Sequence, residues 1–272
     1  MTSLGAVTGL RVTVLNRPLN VFYGVPYASA PQGGQRFSAP SEASPWRGYR
    51  DATERIRERC LQLTRASVVD NDRGYVGDED CLHMNVFAPE GARNRSVLVI
   101  LHGGAFQRGS NDEPLYDGRY MAAAEDVVVF VPNYRLNVFG FLATPFFEAP
   151  GNQGLRDQHT ALAWVAENAA AFGGTRASVT LVGIDSGAVS AGLHLLLPES
   201  RKLFNRVIMQ GGAPFEAGEN APFVGLSEIR KYTQAICARS KESLIEYGLC
   251  LWSFVGADSL KAVLVQALRS HF

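Results

Sequence analysis

The sequence has 272 residues, 46% of them hydrophobic, with 26 basic and 26 acidic side chains that leave no net charge. A chain of this length builds one large α/β domain or two small ones and has ample material for a core. The charge balance argues against nucleic acid or an anionic membrane surface as partner, and no apolar run approaches a membrane span. The first twenty residues lack a basic start followed by an apolar stretch, so no signal peptide is visible. Four cysteines, Cys60, Cys81, Cys237 and Cys250, allow three pairings, with buried free thiols as the alternative.

In chain order, seven short runs rich in Val, Ile and Phe read as strands: residues 10–15, 20–28, 82–89, 96–104, 126–135, 178–183 and 205–212. The first few are joined by loops, which suits an antiparallel start. From residue 96 the order becomes strand, helix, strand. Helices are predicted over 116–125, over 155–172 (closed by Gly173 and Gly174) and over 186–197, ended by Pro198. Beyond residue 212 the periodicity predicts helices over 226–240, 242–252 and 258–270, packed outside the sheet. Apolar strands alternating with helices predict a doubly wound, mostly parallel α/β sheet covered on both faces.

Two loops carry chemical potential. The run HGGAF, His102 to Phe106, follows the strand VLVIL, and glycines there let backbone N–H groups turn toward a ligand. The run GIDSG, Gly183 to Gly187, follows the strand SVTLV and opens a helix, the context of a nucleophile elbow. Both glycines fit the elbow only with Asp185 at the apex. Sliding the frame to put Ser186 there places Ile184 and Ala188 where glycines are required.

These loops, together with FYGVPYA, RFSAP, PWRGYRDAT, EDCLHMNVFAP, NYRLNVFGFL, GNQGLRDQHTALAWV, AAFGG and LFNRVIMQGG, occur in the order they have in one family. The chain resembles the type-B carboxylesterase and cholinesterase family of α/β-hydrolases. That resemblance implies an α/β-hydrolase fold with antiparallel N-terminal strands, here incomplete at the C-terminus, as a single truncated domain over residues 1–272. It implies disulfides Cys60–Cys81 and Cys237–Cys250 and a secreted or extracellular location. It further implies structural ion pairs Arg36–Glu79 and Arg135–Asp157. Backbone donors for an oxyanion would come from Gly104, Ala105 and Ser186. A small ester or another ligand is the expected partner, with a protein partner as an alternative, and no cofactor or metal is expected.

The departures decide the chemistry. The family elbow reads G-E-S-A-G, whereas here Ile184, Asp185 and Ser186 occupy its middle. The triad order in this fold is nucleophile, acid, histidine. After Asp185 only His194, in the elbow helix, and His271, near the last residue, remain. His83 and His159 read as structural and His102 as a residue that shapes its loop, so no general base is visible. An aspartate can serve as nucleophile at such an elbow, but its ester intermediate needs a histidine-activated water. A carboxylate beside backbone donors and a helix N-terminus is instead expected to stay ionised and to fill the oxyanion site itself.

Trp46, Trp164 and Trp252 read as scaffold. The stretch between Cys60 and Cys81 holds no tryptophan, so cation–π recognition of a quaternary ammonium would fall to Tyr75, a weak substitute. Asn94-Arg95-Ser96 is a glycosylation sequon. Three readings follow: a degenerate or truncated esterase with little turnover and poor solubility; a non-catalytic adhesion or ligand-binding module; and an ester hydrolase that uses Ser186 or is completed by another chain.

Overall fold

Alternating Val, Ile and Phe positions give strands two apolar faces, and the chain uses both. The computed structural model describes residues 1–55, 58–63, 75–142, 149 and 151–214. The helices predicted over 226–240, 242–252 and 258–270, with Cys237, Cys250, Trp252 and His271, lie outside the described residues.

Among the described residues, seven strands form the main sheet: β1 Leu10–Val14, β2 Arg17–Pro26, β3 His83–Pro89, β4 Arg95–Leu101, β5 Val128–Pro132, β6 Gly174–Ile184 and β7 Arg206–Gln210. Their spatial order is β7-β6-β4-β5-β3-β2-β1. The pairs β1/β2, β2/β3 and β3/β5 are antiparallel, and β5/β4, β4/β6 and β6/β7 are parallel. Loops therefore connect the first strands, and helical crossovers appear once parallel pairing begins. Two short pairs lie outside this sheet: Ala6–Thr8 with Tyr49–Asp51, and Gln62–Leu63 with Tyr75–Val76.

The helices are α1 Arg119–Glu125, α2 Asn137–Phe141, α3 Gln153–Asn168, α4 Ser186–Leu196 and α5 Pro198–Arg201. Along β5 the side chains divide between two cores, as the two-residue period of a strand requires. Val128 and Phe130 join Val97, Val99 and Leu181 against Leu162 and Val165 of α3. Val129 and Val131 join Leu19, Val21 and Phe87 against Ala122 and Ala123 of α1. Helices thus cover both faces, as in an α/β-hydrolase.

Aromatic rings close the first core. Phe172 meets Phe22 and Phe130 edge to face at 5.0 and 5.7 Å between centroids. Truncating such a ring to alanine costs about 3–5 kcal/mol. On β7, outermost among the described strands, Ile208 and Met209 are exposed. The predicted helix over 116–125 is shorter, because Pro114–Tyr116 forms a separate tight turn before α1 begins at Arg119.

Buried ion pairs fasten the N-terminal loops to the sheet. Arg36 pairs with Glu79 through two nitrogens. Arg135 donates from Nε and Nη2 to Asp157 at 2.8 and 2.7 Å, and from Nη1 to the carbonyls of Arg36 and Ser38. The disulfide Cys60–Cys81 is present. No helix among the described residues is long and apolar enough to cross a membrane.

Candidate active site

Parallel pairing of β4 with β6 aligns Leu101 with Gly183. The two chemically promising loops therefore leave neighbouring strands side by side at their carboxyl ends, where open α/β sheets place ligands. β6 ends at Ile184 and α4 begins at Ser186, so Asp185 alone makes the turn, with φ 53° and ψ −121°. That conformation costs a non-glycine residue on the order of 1–3 kcal/mol. The surroundings hold it: the Asp185 N–H donates to the Gln210 carbonyl at 2.8 Å, and its carbonyl accepts from Ala188 at 2.9 Å. A Cβ on Gly183 would lie 2.1 Å from the Gly187 oxygen, and one on Gly187 would lie 2.2 Å from the Leu101 oxygen. Packing thus requires glycine at both positions with Asp185 at the apex.

The facing loop runs through left-handed backbone at Ala105 and Phe106, with φ 54° and 59°. Its N–H groups consequently turn toward the elbow. Those of Gly104 and Ala105 donate to Asp185 Oδ2 at 2.8 and 3.1 Å. The next, from Phe106, goes to Ser186 Oγ at 3.3 Å. The adjacent Ser186 N–H also favours the charged form of the Asp185 carboxylate.

The electrostatics follow. Partial desolvation works to raise the Asp185 pKa, but donation from Gly104, Ser186 and Ala105 and the field of Arg108 outweigh it. The carboxyl is held below its ordinary value of 3.8 and is ionised at neutral pH. The α4 N-terminus behind it adds the same preference for negative charge.

Ser186 faces inward. It is 4% exposed, and its hydroxyl lies between the Phe106 amide and Tyr134. Among the described residues, no histidine supplies a hydrogen bond to the Asp185 carboxylate. His102 is fully buried, donates from Nδ1 to the Gly103 carbonyl at 2.9 Å and stacks on Tyr134 at 4.2 Å. His194, buried on the elbow helix α4 itself, is bonded to Ser200 Oγ and Gln158 Oε1, both at 3.0 Å. Half-buried His159 bonds to the same Ser200 hydroxyl at 2.8 Å, and His83 is buried on β3. Burial pushes His83, His102 and His194 each down to about 4, leaving them neutral.

Trp164 is buried in the core, and half-buried Trp46 donates to the Ala6 carbonyl at 2.8 Å with Arg50 over its ring. Asn94 is exposed in a left-handed turn before β4.

Residues to which the sequence patterns gave no part in the site brace it. Tyr116 Oη accepts from the Gly103 N–H at 2.9 Å, and Tyr134 Oη donates to the His102 carbonyl at 2.7 Å. Arg108 contributes field at the mouth. The tyrosines lie outside both glycine-rich motifs, so their part emerges only from tertiary contact.

The sequence from Met1 through residue 244 matches the model of the Carboxylesterase family. The chain belongs to this family. It is 38% identical to a cholinesterase of Mus musculus over 266 residues, covering 89% of this chain and 43% of the relative. It is 42% identical to an acetylcholinesterase of Electrophorus electricus over 228 residues, covering 79% of this chain and 35% of the relative. The chain therefore spans less than half the length of either relative. Within the shared scaffold, the converging N–H groups are suited to a negative oxygen, and here a side chain of the chain itself supplies that oxygen.

Proposed function

We propose that this carboxylesterase-family chain has no efficient esterase turnover and carries an elbow that is internally neutralised. Asp185 stands at the nucleophile position and fills the oxyanion cradle formed by Gly104, Ala105 and Ser186. The observation that carries this reading is the pair of hydrogen bonds from Gly104 and Ala105 to Asp185 Oδ2. An ester carbonyl entering the site would have to displace an ionised carboxylate from the donors that should stabilise its own transition state.

Two hydrolytic alternatives fare worse. Ser186 Oγ is buried and already accepts from the Phe106 amide. Asp185 as a nucleophile is weakened by the same bonds that lower its pKa. The Cys60–Cys81 bridge suits an oxidising compartment and supports the secreted location. A non-catalytic ligand-binding or adhesion role is the function compatible with such a site.

The test is hydrolysis of an activated ester, p-nitrophenyl acetate, by the full chain and by Asp185→Ala. The unmodified chain is expected to match the same chain denatured. The variant, with an open cradle, can reach at most the residual acceleration of about 10³–10⁴ over water that donors and binding supply without a nucleophile. Saturable turnover by the unmodified chain that disappears in Ser186→Ala would overturn the proposal.

A further inference from the structure

The donor loop is held from outside by a residue that none of the motifs marks. Gln62 lies two residues after Cys60, in the short pairing Gln62–Leu63 with Tyr75–Val76, and is 5% exposed. Its side-chain amide treats Gly109 as a strand partner. Oε1 accepts from the Gly109 N–H at 2.9 Å, and Nε2 donates to the Gly109 carbonyl at 3.0 Å. The second Nε2 hydrogen goes to the Cys60 carbonyl at 2.9 Å. Both donors and the acceptor of this amide are therefore used, and buried amides satisfied in this way are rigid.

Gly109 is the lever. With φ +114°, its backbone lies so close to the start of the loop that a Cβ would sit 2.2 Å from the Gly103 oxygen and 2.6 Å from His102 Nδ1. The loop then closes on itself, because the Gln107 and Arg108 N–H groups both donate to the Gly104 carbonyl, at 3.0 and 3.1 Å. A second tie joins the same segments: Asn137 Nδ2 donates to the Leu61 carbonyl at 2.7 Å while its backbone N–H donates to the Phe106 carbonyl at 2.7 Å. The neck of the Cys60–Cys81 loop is thus bonded to the donor loop near its middle and at its end.

We propose that Gln62 is a positioning residue that sets the Gly104 and Ala105 amides on the elbow from beside the Cys60–Cys81 disulfide. This rests on the reading of those amides as the cradle for Asp185. Loss of the amide frees Gly109, lets the loop drift from the elbow and weakens both donations to Oδ2. Gln62→Met keeps the side chain's length and bulk while removing its hydrogen bonds.

The experiment is a ¹³C NMR titration of the Asp185 carboxyl in the full chain, unmodified and as Gln62→Met, with thermal unfolding of both. In the unmodified chain the carboxyl is expected to titrate below the ordinary range. In folded Gln62→Met it is expected to move up toward that range, a readout that a purely structural side chain would leave in place. A depressed titration unchanged in folded Gln62→Met would overturn the role of Gln62 and leave the cradle reading intact. An ordinary titration in the unmodified chain would overturn the cradle itself and this role with it. Should Gln62→Met not fold, amide exchange in the unmodified chain decides. Gly104, Ala105 and Gly109 are expected to exchange through one opening at matched rates, and Gly104 and Ala105 exchanging more than about tenfold faster than Gly109 would overturn the coupling.

Discussion

Replacing Asp185 by alanine should turn the elbow into an anion site. In the unmodified chain, a tetrahedral anion reaching the Gly104 and Ala105 amides must displace Oδ2 from bonds of 2.8 and 3.1 Å. Charge-assisted hydrogen bonds are worth about 1.5–3 kcal/mol each when shielded from water. Asp185 is exposed, so roughly 1–3 kcal/mol for the two together is the reasonable scale. The carboxylate also repels the incoming charge. At a separation of about 3 Å in water-like surroundings that adds roughly 1.4 kcal/mol. Together these predict that Asp185→Ala binds methylphosphonate about 10²–10³-fold more tightly than the unmodified chain, at about 1.4 kcal/mol per factor of ten. Titration followed by the Gly104, Ala105 and Ser186 amide resonances measures this directly. Equal affinity in the two proteins, or tighter binding by the unmodified chain, would refute the reasoning.

Asp157→Ala should destabilise the fold severely. It strands Arg135, 3% exposed on its side chain, without its partner, a loss of about 3–5 kcal/mol and roughly 6–20 °C in Tm. Glu90→Ala, which breaks the solvent-exposed Arg11–Glu90 pair, should cost no more than about 1 kcal/mol; comparable losses in the two variants, measured by thermal unfolding, would contradict the burial argument. Burial lowers His83, His102 and His194 from 6.5 to about 4. Between those values the unfolded chain binds more protons, so their contribution is fully present above pH 6.5 and declines as pH falls toward 4. The urea midpoint should accordingly be lower at pH 5 than at pH 7, and an unchanged midpoint would show that these rings are not held neutral.

The strands were legible because Val, Ile and Phe runs bounded by Gly and Pro have one good solution in a sheet covered on both faces. Where pairing rather than pattern sets an element, the sequence said less. β6 starts at Gly174 rather than 178 because Gly174 pairs with Arg95, and nothing apolar alternates there. α2 spans five residues, too few to show a helical period. At the site, glycine spacing located Asp185, and simple electrostatics anticipated an ionised carboxylate beside amides. Which oxygen meets which amide depends on the register of β4 against β6. Gln62 was invisible for a related reason: its partner Gly109 lies 47 positions away, and a glutamine carries no local signal of what it will clamp.

The central claim is that an elbow carboxylate, not a nucleophile, occupies the amide cradle. Intact-mass and peptide analysis after incubation of the full chain with a fluorophosphonate tests it most directly, since that reagent reports an activated serine beside working oxyanion donors. The account predicts no adduct on Ser186. A stoichiometric phosphonyl ester on Ser186 would contradict it.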